Sequence, residues 1–210
     1  NPQNFQQLVL ASASPRRLDL LGQIHIIPDQ VLPANSDETP HHQERPNDYA
    51  VRMACEKALL VAKRLADAQA GAFILAGDTV VAAGRRILPK AETEQQARDC
   101  LSILSGRRHS VYGGIALCLP DGSLRHRLAT SHVRMRRLSP LDIDHYIDRG
   151  DWQGKAGGYA IQGLAARFVR AIDGSYSNIV GFSLYDVAAM LDAAGWRGTG
   201  QLPSQTPPSA

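Results

Sequence analysis

The chain has 210 residues, 44% of them hydrophobic and 20% charged, with a formal net charge of +3. That balance belongs to a globular protein able to bury a sizeable core, and so small a charge with no long basic block excludes a nucleic-acid-binding arm. No apolar run nears the ~20 residues of a membrane span, and the three cysteines, Cys55, Cys100 and Cys118, form no CxxC pair that would suggest a zinc site or a disulfide framework.

In chain order, "LVLA" at 8–11 is a short apolar stretch and predicts a buried strand. Ser14-Pro15 follows as a helix start, with serine at the N-cap and proline at the first helical position. Residues 28–46 are rich in Pro, Asp, Glu and His and predict a long loop, with a short strand near Val31-Leu32. A single long helix is expected from Asn47 to about Ala68, with Ala50, Ala54, Ala58, Val61, Ala62 and Leu65 as its apolar stripe. "AFILAGDTVVAAGRRIL" predicts a strand and a hairpin turning at Gly84. Thr93 and Gln96 form a capping-box pattern ahead of a helix through Leu104.

Strands at roughly 110–119 and 125–136 are joined by the turn sequence "PDGS". Ser139-Pro140 opens a helix that Gly150 closes, "KAGGYAIQG" predicts a glycine-rich loop, and "ARFVRAI" predicts a strand ending in the turn Asp173-Gly174-Ser175. Ser183 caps a last helix ending before Gly195, and residues 196–210 have the composition of a polar, disordered tail. There is no internal repeat. Strands alternate with helices while one hairpin is antiparallel, so the expected class is α/β with a mixed central sheet flanked by helices.

The chemistry begins at "ASASPRR". A strand running into a helix N-terminus presents free backbone N–H groups and a positive dipole end, an anion cradle. Ser12 and Ser14 add hydroxyls, and Arg16 and Arg17 add guanidinium forks that match phosphate oxygens. Read alone, the same string is also an ordinary capped helix with solvated arginines, and the chain holds no Walker A loop. Asp78, inside the apolar strand "FILAGDTVV", must lie at an exposed end or be paired, and can hold a hard cation or orient a water. Glu38 in "SDETP" is a second candidate carboxylate, Lys57 and Lys90 are candidate cations, and the amide of Gln162 can face a nucleobase edge. None of the seven histidines has metal-ligand spacing, and no GxSxG elbow supports a serine nucleophile.

Together, "ASASPRR", "DETP", "ACEKA", "AGDTVV", "LPKAE", "LSGRRH" and "GGYAIQGLAARFVRAIDGSYSNIVGFSL" resemble the Maf family of nucleoside triphosphate pyrophosphatases over residues 7–195. The resemblance implies one Maf/ITPase-like domain with two lobes around a cleft. It implies hydrolysis between the α- and β-phosphates of a nucleotide, with a divalent metal (Mg²⁺ or Mn²⁺) and commonly a homodimer. Asp78 then takes the catalytic acid/base role, Glu38 and Asp78 hold the metal, and Ser12, Arg17, Lys57 and Lys90 serve the phosphates. Arg16, Thr79 and Gln162 fall at the positions linked to base choice and match the branch acting on dTTP and UTP. The alternatives are a 7-methyl-GTP or other purine pyrophosphatase of the same family, and a nucleotide-binding regulator of cell division. One departure stands out: the family often reads Lys-Pro after the hairpin, whereas here Pro89 precedes Lys90. With no nucleic-acid or membrane partner expected, and "NPQNFQQ" lacking the order of a signal peptide, the sequence reads as cytoplasmic.

Overall fold

The computed structural model describes residues 6–65 and 71–198. In chain order its elements are β1 (Leu8–Leu10), α1 (Pro15–Gln23), β2 (Gln30–Val31), α2 (Pro46–Leu65), β3 (Phe73–Ala83), β4 (Arg86–Leu88), β5 (Lys90–Ala91) and α3 (Glu94–Leu104). There follow β6 (Arg108–Cys118), β7 (Leu124–Met135), α4 (Pro140–Arg149), β8 (Lys155–Ala156), a 3-10 turn (Leu164–Phe168), β9 (Val169–Asp173), α5 (Tyr176–Val180) and α6 (Leu184–Ala193). Seven strands form one sheet in the order β2-β1-β3-β6-β7-β9, with β4 paired to β3, while β5 and β8 make a separate two-stranded ribbon. β1 is parallel to β2 and β3 and the other pairings are antiparallel, so the sheet is mixed, as the sequence suggested.

Strand alternation divides the core between the two faces. Val9, Ile74, Ala76, Ala116 and Cys118 turn to one face and pack on Ala54, Ala58, Val61 and Leu65 of α2. Leu8, Leu10, Leu75, Ile115, Leu117 and Val133 turn to the other and meet residues of α1, α3, α4 and α6. α2 lies very close to its face: a Cβ on Gly114 would stand 2.0 Å from the Ala50 carbonyl oxygen, so only glycine permits this approach.

Several local expectations hold in detail. The capping box at Thr93/Gln96 is formed, Ser139 opens α4 (in a capping box with Asp142), and Gly150 closes α4 in the left-handed region at φ 73°. Three details differ. Ser14 occupies the N-cap position of α1, but its side chain makes no capping hydrogen bond. "ARFVRAI" is half 3-10 turn, and only Val169–Asp173 is strand. α5, for which the sequence predicted no element, forms because Ser175 caps it by accepting from the Asn178 N–H. The packed chain extends to Trp196, 8% exposed, whose indole N–H donates to the Gln6 carbonyl at 3.2 Å. The expected helix residues 66–68, and the tail from 199 onward, lie outside the described residues.

The sheet's geometry creates the cleft. β1 pairs only with Phe73–Leu75 of the eleven-residue β3, and β4 takes up the same edge only from Val81. Between these pairings the chain leaves β1 through Ser12–Ser14 into α1, and Gly77–Val80 of β3 border the opening left beside it. This is the carboxyl end of a parallel strand beside a crossover, the place where open α/β sheets bind ligands.

Candidate active site

A cleft of about 380 Å³ opens at this point, within the usual range for a small-molecule site. All ten residues singled out from sequence line it: Ser12, Ser14, Arg16, Arg17, Glu38, Lys57, Asp78, Thr79, Lys90 and Gln162. They come from β1's exit loop, α1, the 28–46 loop, α2, β3, β5 and the glycine-rich loop.

The acids and lysines form one chain of charge-assisted hydrogen bonds. Lys57 Nζ donates to Asp78 Oδ1 at 2.6 Å and to Glu38 Oε1 at 2.7 Å, and Lys90 Nζ donates to Glu38 Oε2 at 2.5 Å. Lys57 and Asp78 are 7% and 5% exposed, so each is a buried charge that depends on the other. Lys57 can reach Asp78 because both turn to the α2 face of the sheet, at the point where Gly114 lets the helix come close. Burial alone would raise the Glu38 carboxyl, but the hydrogen bonds from Lys57 and Lys90 outweigh it and hold the group at about 2. Tyr49 fixes the Glu38 segment by donating its hydroxyl to the Glu38 carbonyl at 2.6 Å. The Tyr49 hydroxyl itself is pushed up to about 12, first by burial and then by the nearby charges of Asp78 and Glu38.

Arg17 is tied into the protein at the cleft. Its guanidinium is buried and donates Nε to the Gly181 carbonyl at 3.0 Å, Nη1 to Ser12 Oγ at 3.0 Å and Nη2 to Thr79 Oγ1 at 3.1 Å. It also lies over the Phe182 ring, 5.2 Å from the centroid. These bonds join α1, β1, β3 and the end of α5 at the floor of the cleft. Thr79 Oγ1 accepts from Arg17 and donates toward the Gly181 carbonyl at 3.4 Å. Arg16, by contrast, uses only its Nε, on the Val180 carbonyl at 3.3 Å. Gln162 is exposed at the rim.

The Pro89-Lys90 order does not displace the lysine. Lys90 pairs with Ala156 in the β5–β8 ribbon, and the Pro89 carbonyl accepts from the Gly157 N–H at 3.0 Å. Sequence reasoning passed over Tyr49, Lys155 and Tyr159. Tyr49 and Lys57 both fall on the buried stripe of α2 with Ala50, Met53, Ala54, Ala58 and Val61, and a lysine on such a stripe signals a buried partner.

A hard divalent cation fits the acidic pair. Lys57 brings the Glu38 and Asp78 carboxylates together with Asp78 Oδ2 outside its bond, and such a cation commonly takes one or two carboxylates with substrate phosphates and water as its remaining ligands. Among the described residues there is no cluster of three or more His, Cys, Asp or Glu side chains able to hold a metal without a substrate.

Residues 7–194 match the family described as Maf-like protein. A protein of Paramagnetospirillum magneticum (strain ATCC 700264 / AMB-1) named dTTP/UTP pyrophosphatase is 60% identical over 189 residues, which span 90% of this chain and 97% of that one. Proteins of the same name from Rhodospirillum rubrum and Caulobacter vibrioides are 55% and 53% identical, each over 90% of this chain and over 89% and 96% of their own lengths. Among solved structures, a HAM1 protein from Coxiella burnetii is 17% identical, with a TM-score of 0.49 over 90% of this chain and 100% of that one.

Proposed function

The chain belongs to the Maf family, and from that membership and the charge layout of its cleft we propose that it hydrolyses dTTP and UTP to the monophosphate and pyrophosphate. The observation that carries the reading is the hydrogen-bonded chain Asp78–Lys57–Glu38–Lys90 in a cleft that Arg16 and Arg17 also line. The names of relatives 53–60% identical over nine-tenths of this chain support the pyrimidine assignment.

The chemistry follows from the charges. Phosphoryl transfer is catalysed by positioning and by electrostatic stabilisation. Asp78 Oδ1 is held by Lys57, which leaves Asp78 Oδ2 to accept the proton of an attacking water. The water oxygen bonds to the α-phosphorus as the bond to the α–β bridging oxygen breaks. The released pyrophosphate leaves with charge that the cations Lys90 and Arg16 would meet. A Mg²⁺ or Mn²⁺ ion on Glu38 and Asp78 would supply Lewis-acid polarisation of the phosphate oxygens. We assign Thr79 and Gln162 to the base edge, with Arg16 lining the same cleft.

The test is pyrophosphate release from dTTP, UTP, 7-methyl-GTP and ITP, with and without EDTA. The expected result is metal-dependent turnover favouring dTTP and UTP. A preference for the methylated purine, or tight nucleotide binding with no pyrophosphate released, would overturn the proposal.

A further inference from the structure

Lys155 lines the cleft and has no place in the account above. It sits on β8, paired with Ala91, and the ribbon is held in place on every side. The Gly154 N–H donates to the Ala91 carbonyl at 2.8 Å, the Lys155 N–H to the Trp152 carbonyl at 3.0 Å, and the Gly157 N–H to the Pro89 carbonyl at 3.0 Å. Gly157 has φ 68°, and a Cβ there would meet Val81 at 2.7 Å, so the backbone beyond Lys155 is fixed by both conformation and contact. The side chain is therefore carried on a rigid support.

The balance of charge around it is uneven. The cleft is lined by five cations, Arg16, Arg17, Lys57, Lys90 and Lys155, and by two acids, Glu38 and Asp78. Both acids are taken by Lys57 and Lys90, and all three kinds of nitrogen of Arg17 donate into the protein. Arg16 donates only Nε, to the Val180 carbonyl. Lys155 donates only to the Gln153 carbonyl, at 2.9 Å, and has no carboxylate within salt-bridge distance among the described residues. Burial first, and then the charge of Arg16, disfavour its ammonium, and Asp151 only partly opposes them. Two neighbouring cations with vacant donors in a half-enclosed cleft are in tension until an anion arrives.

We propose that Lys155 and Arg16 together form an anion subsite that grips the phosphate chain of the substrate, with Lys155 a substrate-binding residue. The assignment rests on the nucleotide reading of the cleft given above. The ligand class is a polyphosphate rather than a base edge, because an ammonium beside a guanidinium is relieved by charge and not by a neutral carbonyl.

The experiment compares the parent with Lys155→Gln and Lys155→Arg as full chains. It measures kcat and KM for UTP, inhibition by inorganic pyrophosphate, the ratio of UTP to GTP turnover, and thermal stability. Removing the charge is expected to raise both the KM for UTP and the pyrophosphate inhibition constant by about 10-fold, the scale of one charge-assisted hydrogen bond. The arginine variant restores most of that loss, while the base ratio and the melting temperature stay at parent values. Unchanged KM and pyrophosphate inhibition in Lys155→Gln overturn the proposal. So does a shifted base ratio with unchanged pyrophosphate inhibition, and so does a loss of stability that arginine does not restore. If the parent releases no pyrophosphate from UTP, the functional reading fails instead. Calorimetry with inorganic pyrophosphate on the parent and Lys155→Gln then decides the Lys155 assignment alone: equal affinities, or no binding to either, overturn it.

Discussion

Lys57 shows how a single side chain links stability to chemistry. A buried lysine donates to two carboxylates and sets the separation of their oxygens. Replacing it with methionine should leave Asp78 and Glu38 facing each other without a cation. We expect turnover to fall by at least 100-fold, and the thermal midpoint to fall with it, as calorimetry of the variant would show. Arg17→Lys tests the neighbouring residue. Charge is conserved, but a lysine cannot reach Gly181, Ser12 and Thr79 in the geometry of a planar fork, so at least one buried acceptor loses its donor. The expected cost in a urea melt is about 2–3 kcal/mol, with a lower kcat/KM because the cleft floor is no longer held. The presence of these residues was legible in the sequence, but Arg17's inward commitment was not. Two adjacent arginines after a helix start look alike, and only the fold turns one into the floor and leaves the other at the cleft.

At the scale of elements, the close approach of α2 to β6 is the feature on which the acidic pair depends. Gly114→Ala would place a methyl group 2.0 Å from the Ala50 carbonyl, so the helix must retreat. The prediction is a loss of activity with every charged residue intact, together with a destabilisation of roughly 1–3 kcal/mol. A variant with parent-like turnover would show that the helix position does not set the Lys57–Asp78 contact. β6 also carries His109, which is 2% exposed. Its Nε2 pairs with the Tyr159 hydroxyl at 2.8 Å, and its Nδ1 is buried with no partner. Burial first, and then His132, lower its pKa from 6.5 to about 4. The folded chain therefore keeps this ring neutral, while the unfolded chain takes up a proton as pH drops below 6.5. Stability should be full above pH 6.5 and lost progressively down to about pH 4, by an amount of order 2–3 kcal/mol. His109→Gln should flatten that part of the urea-stability profile against pH.

The long, patterned elements were readable because each carries its own local signal. β3 is apolar on both sides of its Asp78-Thr79 interruption, α3 and α4 begin in capping boxes, and the β3–β4 hairpin turns at Gly84. The rest was not readable because the signal is tertiary. A two-residue strand such as β8 has no periodicity, and "ARF" takes up a 3-10 turn although its composition suits a strand.

For the whole molecule, charge placement matters more than charge total. The cations lining the cleft exceed its acids by three, which equals the net charge of the entire chain. The remainder is formally neutral, so the positive potential that draws a polyphosphate is concentrated at one site. Raising NaCl from about 50 to 500 mM should therefore raise the KM for UTP several-fold with little change in kcat; an unresponsive KM would mean that the cleft's excess charge does not contribute to capture. Convergence of the charged residues was the part of the site most visible in sequence, since the motifs spread from Ser12 to Gln162 fit a single family pattern and do line a single cleft. Lys155 stood at the start of the predicted glycine-rich loop without a signal of its own, because only the ribbon pairing of β5 with β8 brings it to the cleft.

The central claim is that Asp78 activates water against a nucleoside triphosphate held in this cleft. The most direct test is mass-spectrometric identification of the products of UTP with Mg²⁺, using the parent and a folded Asp78→Asn variant side by side. The account predicts UMP and pyrophosphate from the parent, and a rate lower by at least about 100-fold from the variant. UDP with orthophosphate, or a parent-like rate from Asp78→Asn, would contradict it.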